Sequence, residues 1–215
     1  MNKNERGSGR LIFWRQALRA LRQVGAIAET SEIVARAVAA PLAGHAGPRR
    51  VLEVGAGTGA ITRAILPHLS KADRLDLYEI NVPFVAVLRG AFARIEGPTI
   101  QVFEDDIEQL PAGASYDAIV SSLPLLNMEP DKVDRVFARL VESVVPGGTL
   151  SYYDYWAKEA RVWVHGADER RRVRAVLDVT RGYLERYEYQ RRVIFRNVPP
   201  ACVHYLRRHR ESEEL

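Results

Sequence analysis

The sequence predicts an α/β fold built on a mostly parallel sheet. Three observations predict it. From Arg50 onward, short apolar runs of strand character alternate with stretches of helical period. A glycine-rich turn, Gly55-Ala56-Gly57-Thr58-Gly59, follows the first of those runs and opens the first of those helices. Towards the other end, two β-like runs stand with no helix between them, which points to an antiparallel closing pair.

Length and composition bound the answer. The 215 residues suit one domain with a small appendage. Apolar residues at 47% and charged residues at 27% are ordinary for a globular fold that buries its own core. The single cysteine, Cys202, excludes an internal disulfide framework and a cysteine-rich zinc site, and reads as a small buried residue. No run reaches the roughly 18 apolar residues of a spanning helix. The N-terminus has no uninterrupted apolar stretch of secretory type, so the expected location is the cytoplasm. His45, His68, His204 and His209 show no ligand spacing, and no metal is expected.

The elements follow in order. Residues 1–9 are polar. A helix is expected from Arg10 to about Val24, with Leu11, Trp14, Leu18 and Leu21 on one face and Arg15, Arg19 and Arg22 on the next. Gly25 suits its C-terminal end. A second helix follows, with Thr30 or Ser31 as N-cap, Ile33, Val34, Ala37 and Val38 as its apolar stripe, and Pro41 as its stop. Strands are expected near 50–55, 74–80, 99–104, 116–122 and 148–155, and helices near 59–69, 82–94, 130–145 and 168–186. The closing β-like runs are Val193–Arg196 and Cys202–Leu206. This divides the chain into an N-terminal helical segment over 1–45, an α/β domain over 46–210 and an acidic tail over 211–215.

The glycine turn carries the chemistry. Glycines there permit a tight turn and close approach of a ligand. The turn lacks the Gly-Lys-Ser/Thr of a phosphate-cradling loop, and it fits a dinucleotide fingerprint only in relaxed form, with Ala60 in the last position. What sets it apart is Glu53, two residues before the first glycine, where a carboxylate repels pyrophosphate and attracts a cation. Two more acidic sites follow at strand ends. Glu79, beside Ile80, is placed to grip ribose hydroxyls, and Asp105-Asp106 to accept from an adenine amino group that Ile107 can cover. Ligands of open parallel sheets bind outside the carboxyl ends of the strands. A glycine loop and acids converging there suit a positively charged adenosine derivative without phosphates, which describes S-adenosylmethionine (SAM).

On these residues the chain resembles the class I SAM-dependent methyltransferases over about residues 50–208. Glu53-Val54-Gly55-Ala56-Gly57-Thr58-Gly59 matches the first motif of that family, Glu79 the second and Asp106 the third, while Tyr116–Val120 matches the strand into the fourth. The resemblance implies a Rossmann-like, seven-stranded sheet whose last strand is antiparallel. It implies SAM as cofactor, held by Glu53, Gly55, Ala56, Gly57, Thr58, Gly59, Glu79, Ile80, Asp105, Asp106, Ile107 and Ser121.

The fourth motif reads Ser121-Ser122-Leu123-Pro124-Leu125-Leu126-Asn127. Enzymes that methylate nucleobase amines carry Asn/Asp-Pro-Pro-Tyr or a relative there, and their aromatic ring stacks on the base. Leu125 replaces that ring, at a loss of roughly 1–3 kcal/mol of stacking. The segment is similar to bacterial phospholipid N-methyltransferases, as are Asn197–Ala201 with Val203–Arg207, and Val24–Ile27 after the first helix. The chain departs from that group in having Ala28-Glu29-Thr30-Ser31 where members often have Pro-Ser-Ser. That group is itself similar to ribosomal RNA adenine dimethylases, so an RNA adenine or another aminolipid, such as ornithine lipid, stays open as acceptor.

Candidate acceptor-side residues are Ser122, Leu123, Pro124, Tyr153 and, on a following loop, His165 as a base. Tyrosine faces in Tyr152-Tyr153-Asp154-Tyr155-Trp156 would favour a methylated ammonium, although the same run also reads as a buried strand with one aromatic face. Through Arg22 the chain carries six basic residues against the single acid Glu5. Leu11, Trp14, Arg15, Leu18, Arg19, Leu21 and Arg22 therefore suit a helix lying in an anionic membrane interface, or one packed on its domain with its arginines solvated. The expected partners are a phospholipid substrate and the inner leaflet, not nucleic acid. Arg170, Arg171, Arg172 and Arg174 read first as a solvated face with internal ion pairs, second as a contact to lipid phosphate.

Overall fold

The computed structural model describes residues 31–44, 47–155, 166–197 and 199–208. The expected membrane helix (Leu11 to Arg22), Trp156, His165 and His209 lie outside the described residues.

Ser31 caps α1 (Glu32–Ala39), its hydroxyl oxygen accepting from the Val34 N–H at 3.3 Å. The stripe Val34, Ala35, Val38 is fully buried, and each valine contributes about 1.5–3 kcal/mol by leaving water. Pro41 lies in a 3-10 turn, Ala40–Leu42, and ends the helix. Two carbonyls near the helix end are satisfied from the sheet: Tyr205 Oη donates to Ala37 O at 2.7 Å and Ser151 Oγ to Val38 O at 2.8 Å. Residues from Ser31 onward form one compact unit, and this helix packs within it.

The strands are β1 (Arg50–Val54), β2 (Arg74–Tyr78), β3 (Thr99–Phe103), β4 (Tyr116–Ser121), β5 (Val144–Tyr155), β6 (Glu188–Ile194) and β7 (Ala201–Arg207). They form one sheet in the order β3-β2-β1-β4-β5-β7-β6. Pairing is parallel from β3 through β5, and β7 runs antiparallel to both its neighbours. Four further helices among the described residues are α2 (Ala60–Ile65), α3 (Val82–Phe92), α4 (Pro130–Ser143) and α5 (Ala167–Tyr187). Helices α1, α2 and α3 pack one face of the sheet, around Val38, Ile61 and Leu88. Helices α4 and α5 pack the other, around Phe137, Leu140, Tyr152 and Val176.

Two strand boundaries differ from expectation. β5 begins at Val144, not near 148, because Pro146-Gly147 forms an irregularity inside the strand rather than a turn before it. Gly148 is required there: a Cβ would lie 2.8 Å from Asp117 O. β6 begins at Glu188, directly after α5, and not at Val193. It is an edge strand exposed along Tyr189–Arg192, so no apolar alternation marks it, and its arginines discourage pairing with another chain.

Candidate active site

The carboxyl ends of β1, β2, β3, β4 and β5 meet along one edge of the sheet, with β1 at its centre. The glycine turn leaves β1 there. The Gly55 N–H donates to Tyr78 O at 2.9 Å and the Gly59 N–H to Ala56 O at 2.8 Å. Gly55 sits at φ +75° and Gly59 at φ +82°, in the left-handed region that side chains rarely adopt. Gly59 is also bounded by packing, since a Cβ would meet the Phe92 ring at 2.8 Å. A Cβ on Gly55 would press on Leu123 and Ser122 at 3.2 and 3.3 Å.

Glu53 lies deeper than the turn it precedes. Its side chain is fully buried, and Oε2 accepts from Thr62 Oγ1 at 2.7 Å, linking the strand before the turn to the helix after it. Burial pushes its carboxyl up to about 8, against the lowering effect of the Thr62 hydrogen bonds. Burial therefore favours the neutral acid at this position. Glu79 is the hydrogen-bonding partner of the turn. Its Oε2 accepts from the Gly57 N–H and its Oε1 from the Asn81 N–H, both at 2.8 Å. Ile80 beside it is 65% exposed, an apolar surface at the site edge.

Asp106 and Asp105 part company. Asp106 caps the 3-10 turn Ile107–Gln109 by accepting from the Glu108 N–H at 3.1 Å, and Lys132 of α4 donates to its Oδ2 at 2.5 Å. Burial opposes its charge, but those bonds outweigh burial and hold the carboxyl below the usual range. Asp105 is exposed at the same strand tip, and Ile107 is buried.

The loop after β4 is tied to the glycine turn. The Ser122 N–H donates to Val54 O at 2.9 Å, and Ser122 Oγ to Gly55 O at 2.6 Å. Ser122 Oγ thus ties the two loops together and keeps its lone pairs free to accept. Leu123 O and Pro124 O, expected to receive an acceptor proton, already accept from Leu125 N–H at 2.9 Å and Asn127 N–H at 2.8 Å. Ser121 is buried at the last position of β4. Tyr153 and Tyr155 are half-buried at the tip of β5, with ring centroids 6.3 Å apart, edge to face.

Sequence reasoning missed four groups. Asn81 follows the second-strand acid by two residues, and its Oδ1 is buried without a hydrogen-bond partner among the described residues, as is Glu53 Oε1. Lys132 was not singled out, because the spacing to Asp106 is long-range. Arg172, in the arginine cluster, turns inward while Arg171 pairs with exposed Asp168. His204, dismissed as a metal ligand, is buried on β7. It stacks on Tyr152 at 4.9 Å, with Nδ1 2.6 Å from Glu188 Oε1 and Nε2 3.4 Å from Asp154 Oδ2.

A left-handed glycine cradle, the Glu79 side chain that holds it and an exposed apolar cover at Ile80 fit an adenosine derivative. They offer no cluster of donors for phosphate.

Known proteins agree at the level of the domain. Residues 51–148 match the family model described as a methyltransferase domain. The highly reducing polyketide synthase lcsB of Purpureocillium lilacinum is 33% identical over 129 residues, which is 53% of this chain and 5% of that protein. Ribosomal RNA small subunit methyltransferase A of Acidobacterium capsulatum is 37% identical over 84 residues, covering 39% of this chain and 28% of that one. The chain therefore spans only a minor part of these relatives. Among solved structures, the N-methyltransferase NodS from Bradyrhizobium japonicum WM9 superposes with a TM-score of 0.60 at 20% identity, covering 81% of this chain and 94% of that one. Its complex with S-adenosyl-L-homocysteine (SAH) gives a TM-score of 0.59, again at 20% identity, over 80% of this chain and 85% of that one. The sheet order and these superpositions show the fold of the SAM-dependent methyltransferases, and the segment from 51 to 148, which holds the glycine turn and its acidic partners, matches a methyltransferase domain.

Proposed function

We propose that the chain transfers methyl groups from SAM to the amine of phosphatidylethanolamine and its mono- and dimethyl forms, working peripherally at the inner membrane. The observation that carries this reading is the loop after β4. Leu123, Leu125 and Leu126 are half-buried against the core there, with no aromatic ring for a flat base. The arginine-rich amphipathic N-terminal sequence supports it independently. Among the described residues no helix is long and apolar enough to cross a membrane.

Bound SAM supplies an electrophilic methyl group on a sulfonium. The chain's own residues do the rest. Glu79 would hold the ribose hydroxyls, Asp105 and Asp106 the adenine edge, and Ile80 and Ile107 would cover its faces. Gly55, Ala56, Gly57, Thr58 and Gly59 give the donor a close backbone approach, and Ser121 and Ser122 fix the neighbouring strand tip. The acceptor nitrogen must be neutral to attack and held about 3–3.5 Å from the methyl carbon. An aliphatic loop favours the neutral amine by excluding water. The Tyr153 and Tyr155 rings attract the methylated ammonium, and His165 is the candidate base.

The second reading is an RNA adenine methyltransferase, favoured by the identity to ribosomal RNA methyltransferase A over 84 residues. Labelled SAM offered with phosphatidylethanolamine vesicles, with ribosomal RNA and with neither decides between them. Label in the lipid phase is the expected result. Label in RNA alone overturns the lipid reading.

A further inference from the structure

We propose that Arg172 is a positioning residue for methyl acceptance: with Glu169 it clamps the loop after β4 in the shape that receives the acceptor. The proposal rests on the reading of that loop as the acceptor side of the site.

The geometry is specific. Arg172 lies in the first turns of α5, and its side chain is 18% exposed. Its Nη2 donates to Leu126 O at 2.8 Å, and its Nη1 donates to Met128 O. Glu169, one turn earlier, takes Nε at 2.8 Å and Nη2 at 2.6 Å in a two-pronged pair. One guanidinium thus spends three nitrogens on two backbone carbonyls and one carboxylate. The planar fork suits this, and a lysine would reach one carbonyl at a time.

What it holds matters as much. Leu125–Asn127 is a single 3-10 turn, closed by the Met128 N–H on Leu125 O at 3.0 Å. So short a turn has little stability of its own. Its front is fixed to the glycine turn through Ser122, and its back is fixed to α5 through Arg172. Between those anchors lie Leu123 and Pro124, next to the donor side. Removing the rear anchor leaves the front in place, so donor binding survives while acceptor alignment fails. A misplacement of about 1 Å at a reacting centre can cost a hundredfold in rate.

The test uses the full chain with R172A and R172K. For each, SAH affinity is measured by calorimetry, hydrogen exchange is followed at residues 125–128, and kinetics are measured on the acceptor that the wild type labels, vesicles or ribosomal RNA. The expected result for R172A is at least a tenfold loss in kcat/KM for the acceptor, SAH affinity within twofold of wild type, and faster exchange confined to 125–128. R172K should recover part of the kcat/KM. Unchanged acceptor kinetics in folded R172A, or an equal loss of SAH affinity, overturns the proposal. If R172A does not fold, R172K decides: a loss in acceptor kcat/KM with SAH affinity within twofold of wild type supports the clamp, and wild-type acceptor kinetics overturn it. If the wild type labels neither acceptor, the functional reading fails by itself, and exchange at 125–128 still decides the clamp: unchanged exchange overturns it.

Discussion

Glu53 and Thr62 face each other across the glycine turn, joined by a 2.7 Å hydrogen bond that neither residue shares with solvent. The acid's ordinary value of 4.5 is raised to about 8 by burial. The folded state therefore holds a proton that the unfolded chain releases. Its contribution to stability is greatest below pH 4.5 and declines as pH rises to about 8. Chemical denaturation at pH 5.5 and pH 8.5 should show this decline in the free wild type and a much smaller one in Glu53→Gln. Equal slopes would mean that Glu53 is not protonated in the fold.

His204 gives the same sign from the opposite charge type. Burial alone would lower it, but hydrogen bonds to Asp154 and Cys202, with Glu188 adding to them, raise it to about 10. The stability it supplies is complete below about 6.5 and is lost as pH climbs through about 10. His204→Gln should cost roughly 3–5 kcal/mol near pH 7, because two largely buried carboxyls lose their cation. Urea titrations of both proteins at pH 7 and pH 10 provide the check, with the gap narrowing at the higher pH.

Glu79 carries the clearest prediction for cofactor binding. Glu79→Ala removes both the carboxylate and the support for the Gly57 and Asn81 N–H groups. SAM affinity should fall at least tenfold, which is about 1.4 kcal/mol. Glu79→Gln should fall less, since it still accepts at one oxygen. Calorimetry with SAM reads both, and wild-type affinity in Glu79→Ala would remove Glu79 from the site.

Gly59→Ala meets two penalties, a left-handed backbone and the Phe92 ring. A loss of about 1–3 kcal/mol is expected from the backbone alone. Phe92→Leu in the same chain should relieve the steric part and not the backbone part. Melting temperatures of the single and double variants separate the two.

Trp14→Asp tests the membrane reading through a residue of the amphipathic N-terminal sequence. Co-sedimentation with anionic vesicles should fall sharply while SAM affinity stays within twofold. A nucleic-acid surface would respond differently, with a steep salt dependence and little sensitivity to Trp14.

The strands and most helices were legible because burial writes a period into the sequence. β1, β2 and β4 are covered on both faces and appear as apolar runs ahead of the turn chemistry. The edge strand β6 was not legible, because solvent on Tyr189–Arg192 erases the period. Within the site, the glycine turn, Glu79 and Asp106 could be read from local spacing. Lys132 and Arg172 could not, since their partners lie 26 and about 45 residues away in the chain. The protonation of Glu53 was also hidden, because it depends on how completely α2 and the neighbouring strands close over it rather than on the residue itself.

The place of β7 has a consequence for synthesis. It lies between β5 and β6 although it follows both in the chain, so a ribosome releases the two outer pieces before the piece that joins them. The segments from β1 to β5 find their neighbours in the order they emerge or soon after. β6 must wait as an unpaired polar ribbon at the end of α5, and Ala37 O must wait for Tyr205. β6 pairs with β7 alone, so the closing step adds the two as an antiparallel hairpin to the edge of β5, with Tyr152 and Arg191 as register partners on either side of His204. A nascent chain stalled before residue 201 would hold a complete glycine turn beside an open seam.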